Sequence, residues 1–253
     1  MSDALTPQQR LEKAVLHLDV AAVHQALAEG ANPNGVTEED GHPLVMAAVF
    51  TGGPVDEHEH WHDEGERAGM MARQDQIVEA LFKAGASGDA SAVTDYKHGD
   101  RHSLVEALFQ QALTDLMDND DSDPEAHIQR LRQTFDAGAP LTTRAHLIFL
   151  GDHPPEEQSL MQLVDWTSYN IETDDRDLSF HAGKAVPHFM REMVTLLVEK
   201  GWDPNDLNAR RYPHAAGLVE GFAPLVIEGM RRRKAHDTPD AEAPARRRQR
   251  RPG

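Results

Sequence analysis

Four times along this chain an amphipathic phrase closes on a glycine and turns away: "ALAEGANPN" ending at Asn34, "LFKAGASG" at Gly88, "TFDAGAPL" at Leu141 and "LVEKGWDPN" at Asn205. The closing glycines are Gly30, Gly85, Gly138 and Gly201. Glycine takes the left-handed conformation after a helix at little cost, so each phrase predicts a helix that ends there. A chain that repeats a helix and a stop is a string of similar small units. One such unit cannot bury its own apolar face, so the units must stack.

A second helix fits before each phrase. Residues 7–19 precede 20–30, with Leu11, Val15 and Leu18 at helical spacing. Residues 42–50 pair with 75–85, 102–118 with 125–138, and 157–169 with 187–201; 212–221 and 223–233 close the series. Strand-like alternation is scarce. The expected class is all-α, a helical-repeat solenoid of about five helix pairs over residues 1–233.

The stretch "DVAAVHQALAEGANPNGVTEEDGHPLVMAAVF" (19–50) resembles an ankyrin repeat. It carries the family's G-A-x-P-N ending, a D-G turn and a T-P-L-x-x-A-A opening, with His42 in place of the threonine. "LVEKGWDPNDLNARRYPHAA" resembles it less closely, and in the middle the opening is degraded to "RHSLVEA" and "EQSLMQL". The resemblance implies stacked antiparallel helix pairs with a concave recognition face, and a role in protein binding rather than catalysis.

The glycines are 55, 53 and 63 residues apart, against about 33 in that family. The excess is expected between the two helices of a pair, at 51–73, 118–124 and 170–186. Insertions of this kind are expelled to one edge of a stack, and these are rich in carboxylates.

Charge sharpens the picture. The net charge is −18, but residues 231–253 hold nine Lys+Arg against three Asp+Glu, which leaves −24 on residues 1–230. Such a body repels nucleic acid and attracts basic partners. The arginine-rich segment 234–253 is expected to be a disordered basic tail, the one part suited to nucleic acid. No apolar run approaches a membrane span and no signal-peptide pattern opens the chain, so a soluble cytoplasmic protein is expected. With no cysteine there is no disulfide and no thiolate metal site.

One motif points elsewhere. "VDEHEHWHDEGER" (55–67) contains His58-Glu59-x-x-His62, the spacing of two zinc-binding histidines beside a base glutamate. Gly65 extends it toward the longer protease pattern, but the third ligand would fall at Ala68. Glycines, Pro54 and charges flank it, where a catalytic helix needs an apolar back. His58, His60 and His62 are therefore expected on a solvated acidic loop, with no catalytic residue, metal or cofactor. A metal-dependent hydrolase is the alternative. "DNDDSDPE" has calcium-loop composition without the ordered spacing, and no phosphate-loop, dinucleotide or nucleophile-elbow motif occurs.

The expected function is non-enzymatic: an acidic binder or inhibitor, immunity-type, of a basic protein such as a bacterial toxin. The expected contact residues are Asp56, Glu57, Glu59, Asp63 and Glu64, then Asp118, Asp120, Asp121 and Asp123, then Glu172, Asp174, Asp175 and Asp177. Trp61 and Tyr169 would be aromatic anchors.

Overall fold

Helix starts are written locally. Thr6 and Gln9 form a reciprocal capping box, each side chain accepting the other's backbone N–H at 3.2 and 3.1 Å, with Pro7 at the first helical position. Asp19 and Asp123 cap the helices they precede. Ser103 and the buried Glu106 repeat the reciprocal arrangement, at 2.6 and 3.3 Å. The computed structural model describes residues 5–51, 64–95, 100–118, 122–143, 158–173, 185–206, 212–220 and 228–233.

Over these residues the protein is mostly helical. The helices are α1 (Pro7–Leu16), α2 (Val20–Ala28), α3 (Leu44–Phe50), α4 (Glu64–Lys83) and α5 (Leu104–Asp118). They continue as α6 (Pro124–Asp136), α7 (Leu160–Thr173), α8 (Ala185–Lys200) and α9 (Pro213–Glu220), and residues 228–233 form a last helical turn and a half. Consecutive helices pack as pairs: α1 on α2, α3 on α4, α5 on α6, α7 on α8. Each pair also touches the next, α1 against α3 and α3 against α5, and α2 against α4, α4 against α6 and α6 against α8.

The four glycines behave alike. Gly30, Gly85, Gly138 and Gly201 have φ of 90°, 98°, 97° and 120°. In each case the glycine N–H bonds to the carbonyl three residues back, and the next residue's N–H to the carbonyl five back. For Gly138 these are Phe135 O at 3.0 Å and Thr134 O from Ala139 N at 3.2 Å. This double closure satisfies carbonyls that a helix end leaves open.

The chain then crosses to the next pair through antiparallel pairing, a feature the sequence reading missed. Val36 bridges Pro43, β1 (Ser91–Asp95) pairs with β2 (Asp100–Ser103), and β3 (Thr142–Thr143) pairs with β4 (Gln158–Ser159). Each crossing ends on a fully buried leucine that opens a helix: Leu44, Leu104 and Leu160. Their N–H groups reach back to Gly35 O, Ala90 O and Leu141 O at 3.0, 2.8 and 3.0 Å. A share of the extra length between glycines therefore lies between pairs, not only within them.

One further correction concerns a within-pair segment. The expected loop 51–73 is helical from Glu64 onward, so α4 has 20 residues. On α6, His127 is buried at 7% exposure. One apolar cluster runs through the described helices from Leu11 to Tyr212. Aromatic pairs tie its later part together, Phe109 with Phe189 at 5.6 Å and Trp202 edge-on to Tyr212 at 6.0 Å.

Candidate functional site

The second helices of the pairs run parallel, and this decides what can gather at each edge. At the start of α6 and α8, Glu125 Oε1 lies 2.8 Å from His188 Nε2. At their ends, Lys200 Nζ donates to Asp136 Oδ1 at 2.5 Å. The turns after α2 and α4 are joined too: Asn34 donates to Gly85 O at 3.0 Å and accepts from Ser87 N at 2.8 Å. Gly88 N, beyond α4, donates to Ala137 O at the end of α6 at 2.8 Å. The glycine turns thus share one edge, and the starts of α4, α6 and α8 share the opposite one.

That opposite edge is where the acidic segments attach. Glu64 opens α4; Asp118 closes α5 and Asp123 caps α6; Tyr169 and Glu172 lie in the last turns of α7. Asp123 sits at the start of α6, where the partial positive charge of a helix N-terminus favours a carboxylate, whereas Asp118 and Glu172 lie in the last turns of α5 and α7. Asp123 is exposed, but one of its oxygens already accepts from Glu125 N at 3.0 Å. Asp56, Glu57, Glu59, Trp61, Asp63, Asp120, Asp121, Asp174, Asp175 and Asp177 lie outside the described residues, as do His58, His60 and His62.

Beneath this edge run two buried polar systems that sequence reasoning missed. In the first, Gln74 Nε2 donates to Val49 O and Thr51 O at the end of α3, at 3.2 and 2.5 Å. Gln74 Oε1 accepts from Gln111 at 3.2 Å, and Gln111 Oε1 accepts from Arg130 at 2.8 Å. Arg130 also pairs with Asp75. Burial pushes the Arg130 guanidinium down to about 10, so it stays charged at neutral pH beside that carboxylate. One chain of side chains thereby links α3, α4, α5 and α6.

The second system joins Asp115, Ser122 and His127. His127 Nε2 is 3.0 Å from Asp115 Oδ2 and 3.1 Å from Ser122 Oγ, and the serine hydroxyl also donates to Asp115. The residue types suggest a hydrolytic triad, but the geometry does not. A triad needs serine and carboxylate on opposite ring nitrogens, and here both face the same one. The cluster instead pins both ends of the α5–α6 connection, with Phe189 of α8 edge-on to the imidazole at 6.4 Å. A faint signal existed: His127, Arg130 and Thr134 fall at helical spacing within the stripe of Ile128, Leu131 and Phe135, all buried.

The glycine-turn edge carries a groove of about 300 Å³ between the ends of α4 and α6, lined by Glu79, Phe82, Lys83, Gln133, Asp136 and Ala137. Among the described residues there is no group of three or more metal-ligating side chains. No described helix is long and apolar enough to cross a membrane. No protein-family model matches this chain, and no curated protein matches it.

Proposed function

We propose that this protein is an ankyrin-like stack of helix pairs that binds a basic protein through its acidic connections, in the manner of an inhibitor or immunity protein for a basic toxin. One observation carries the reading. Parallel second helices align the ends of all three carboxylate-rich connections along a single edge. The repeated glycine closure, the pairwise ladder of contacts and the antiparallel crossings before Leu44, Leu104 and Leu160 support the ankyrin likeness. No cofactor and no bond-making step is needed for this role, and the −24 carried by residues 1–230 supplies long-range attraction.

The test starts from the most basic protein that co-purifies from the native host. Its association is then followed by stopped flow, using wild type and a variant with Asp56, Glu57, Glu59 and Asp63 changed to Lys. Association should slow roughly tenfold or more and its salt dependence should flatten, since electrostatic steering is worth about 10- to 1000-fold in rate. Thermal stability should not fall. Equally fast association after reversal, or an acidic partner, would sink the proposal.

A further inference from the structure

The groove at the glycine-turn edge is walled by α6, which packs against α8, the helix that carries the last described turns before the chain's arginine-rich end. Helix 228–233 is locked onto α8: a Cβ at Gly229 would come within 2.7 Å of Thr195 O and 3.2 Å of the Val198 side chain. Arg232 reaches Glu192 and the buried Glu199, at 3.9 and 4.0 Å, and pairs with Glu228 at 3.0 Å. Glu199 also pairs with Arg132 of α6. The neighbouring Lys200 holds Asp136, which forms one wall of the groove. Arg246, the first of the five arginines in 246–251, lies 13 residues beyond Arg233. An extended chain of that length spans about 45 Å, so the groove is well within reach.

We propose that the arginine segment 246–251 docks in the groove between α4 and α6 of the same molecule, with guanidinium groups between Glu79 and Asp136 and over the Phe82 ring. Both carboxylates stay open to an incoming group, at 46% and 60% exposure, although each already touches a lysine. Lys83 is itself 72% exposed, and exposed pairs of this kind contribute about 0–1 kcal/mol. A planar guanidinium can engage a carboxylate through two hydrogen bonds and stack on an aromatic face, which an ammonium cannot match. Tethering raises the local concentration of the segment to the order of millimolar, so weak individual contacts suffice. This docking stands whether or not a separate basic partner exists.

The absence of cysteine allows a clean test in the full-length protein. A Gln133→Cys/Gln249→Cys variant reports the groove, and a His24→Cys/Gln249→Cys variant, on the exposed face of α2, reports random encounter. Under mild oxidation the groove pair should form an intramolecular disulfide roughly tenfold faster than the control, given the effective concentrations of docked and free tethers. The advantage should vanish in about 1 M salt, where screening acts within about 3 Å, and in a Glu79→Gln/Asp136→Asn background. Equal rates at the two positions would overturn the proposal. So would an advantage that survives those two substitutions, or disulfide-linked dimers as the main product.

Discussion

At Gly138 the backbone takes φ 97° and an added Cβ would meet nothing within 4 Å. At Gly88 no positive φ is involved, yet a Cβ would lie 2.2 Å from Thr134 O and 2.8 Å from Ala139 N. The two positions should therefore fail for different reasons. Gly138→Ala should destabilise by about 1–2 kcal/mol, the cost of a left-handed L residue. Gly88→Ala should cost more, about 2–3 kcal/mol as for an overpacked core, because backbone atoms, not flexible side-chain ends, must move. Urea denaturation of the two variants compares them directly. A Gly88→Ala protein as stable as wild type would mean that the turns of adjacent pairs do not bear on each other. The four closing glycines were legible in the sequence because their requirement is local: a helix ends and φ must be positive. Gly88 was not, since its crowding comes from a turn some 50 residues away.

Elements divide in the same way. Helices whose apolar spacing is plain, such as α5 and α8, were read to within about two residues at each end, the normal uncertainty of helix boundaries. The first half of α4 was not. "EGERAGMMAR" has two glycines and no sustained apolar stripe, although Glu, Arg, Met and Ala all favour helix. The strands around 91–103 and 142–159 were missed because two-stranded pairs have little stability of their own; here they lean on the helices that follow them, α5 and α7. The polar chain through Gln74, Gln111 and Arg130 depends on which helices meet, and nothing local encodes that. Its weight can be measured. Gln111→Leu leaves Gln74 Oε1 and Arg130 Nη1 without the partner each has now, and should cost about 1–3 kcal/mol, the penalty for stranding buried polar groups. Gln74→Leu added to it should cost less than it does alone, because the two share one network. Additive effects in a double-mutant cycle would show that the two amides act separately.

At the scale of the whole molecule, charge sets two responses that should run in opposite directions. A net −18 makes the folded chain repel itself, and salt relieves that repulsion. Salt also weakens exposed pairs such as Arg10–Glu29 and Lys83–Glu79, but each of these contributes only about 0–1 kcal/mol. Buried pairs such as Arg132–Glu199 are screened far less. Self-repulsion should win, so raising NaCl from about 0.05 to 0.5 M, which shortens the screening length to well under 10 Å, should raise the melting temperature. The same change should slow association with a basic partner, because steering acts over the distances that salt screens. Changing four carboxylates of the first connection to lysine moves the net charge from −18 to −10. That variant should melt no lower than wild type, respond less to salt, and associate more slowly. Melting curves and association rates taken in the same salt series decide the matter. A melting temperature that falls with salt would mean that specific ion pairs, rather than net repulsion, dominate the stability of this fold. The acidity would then be structural, and the case for a basic partner would lose its electrostatic ground.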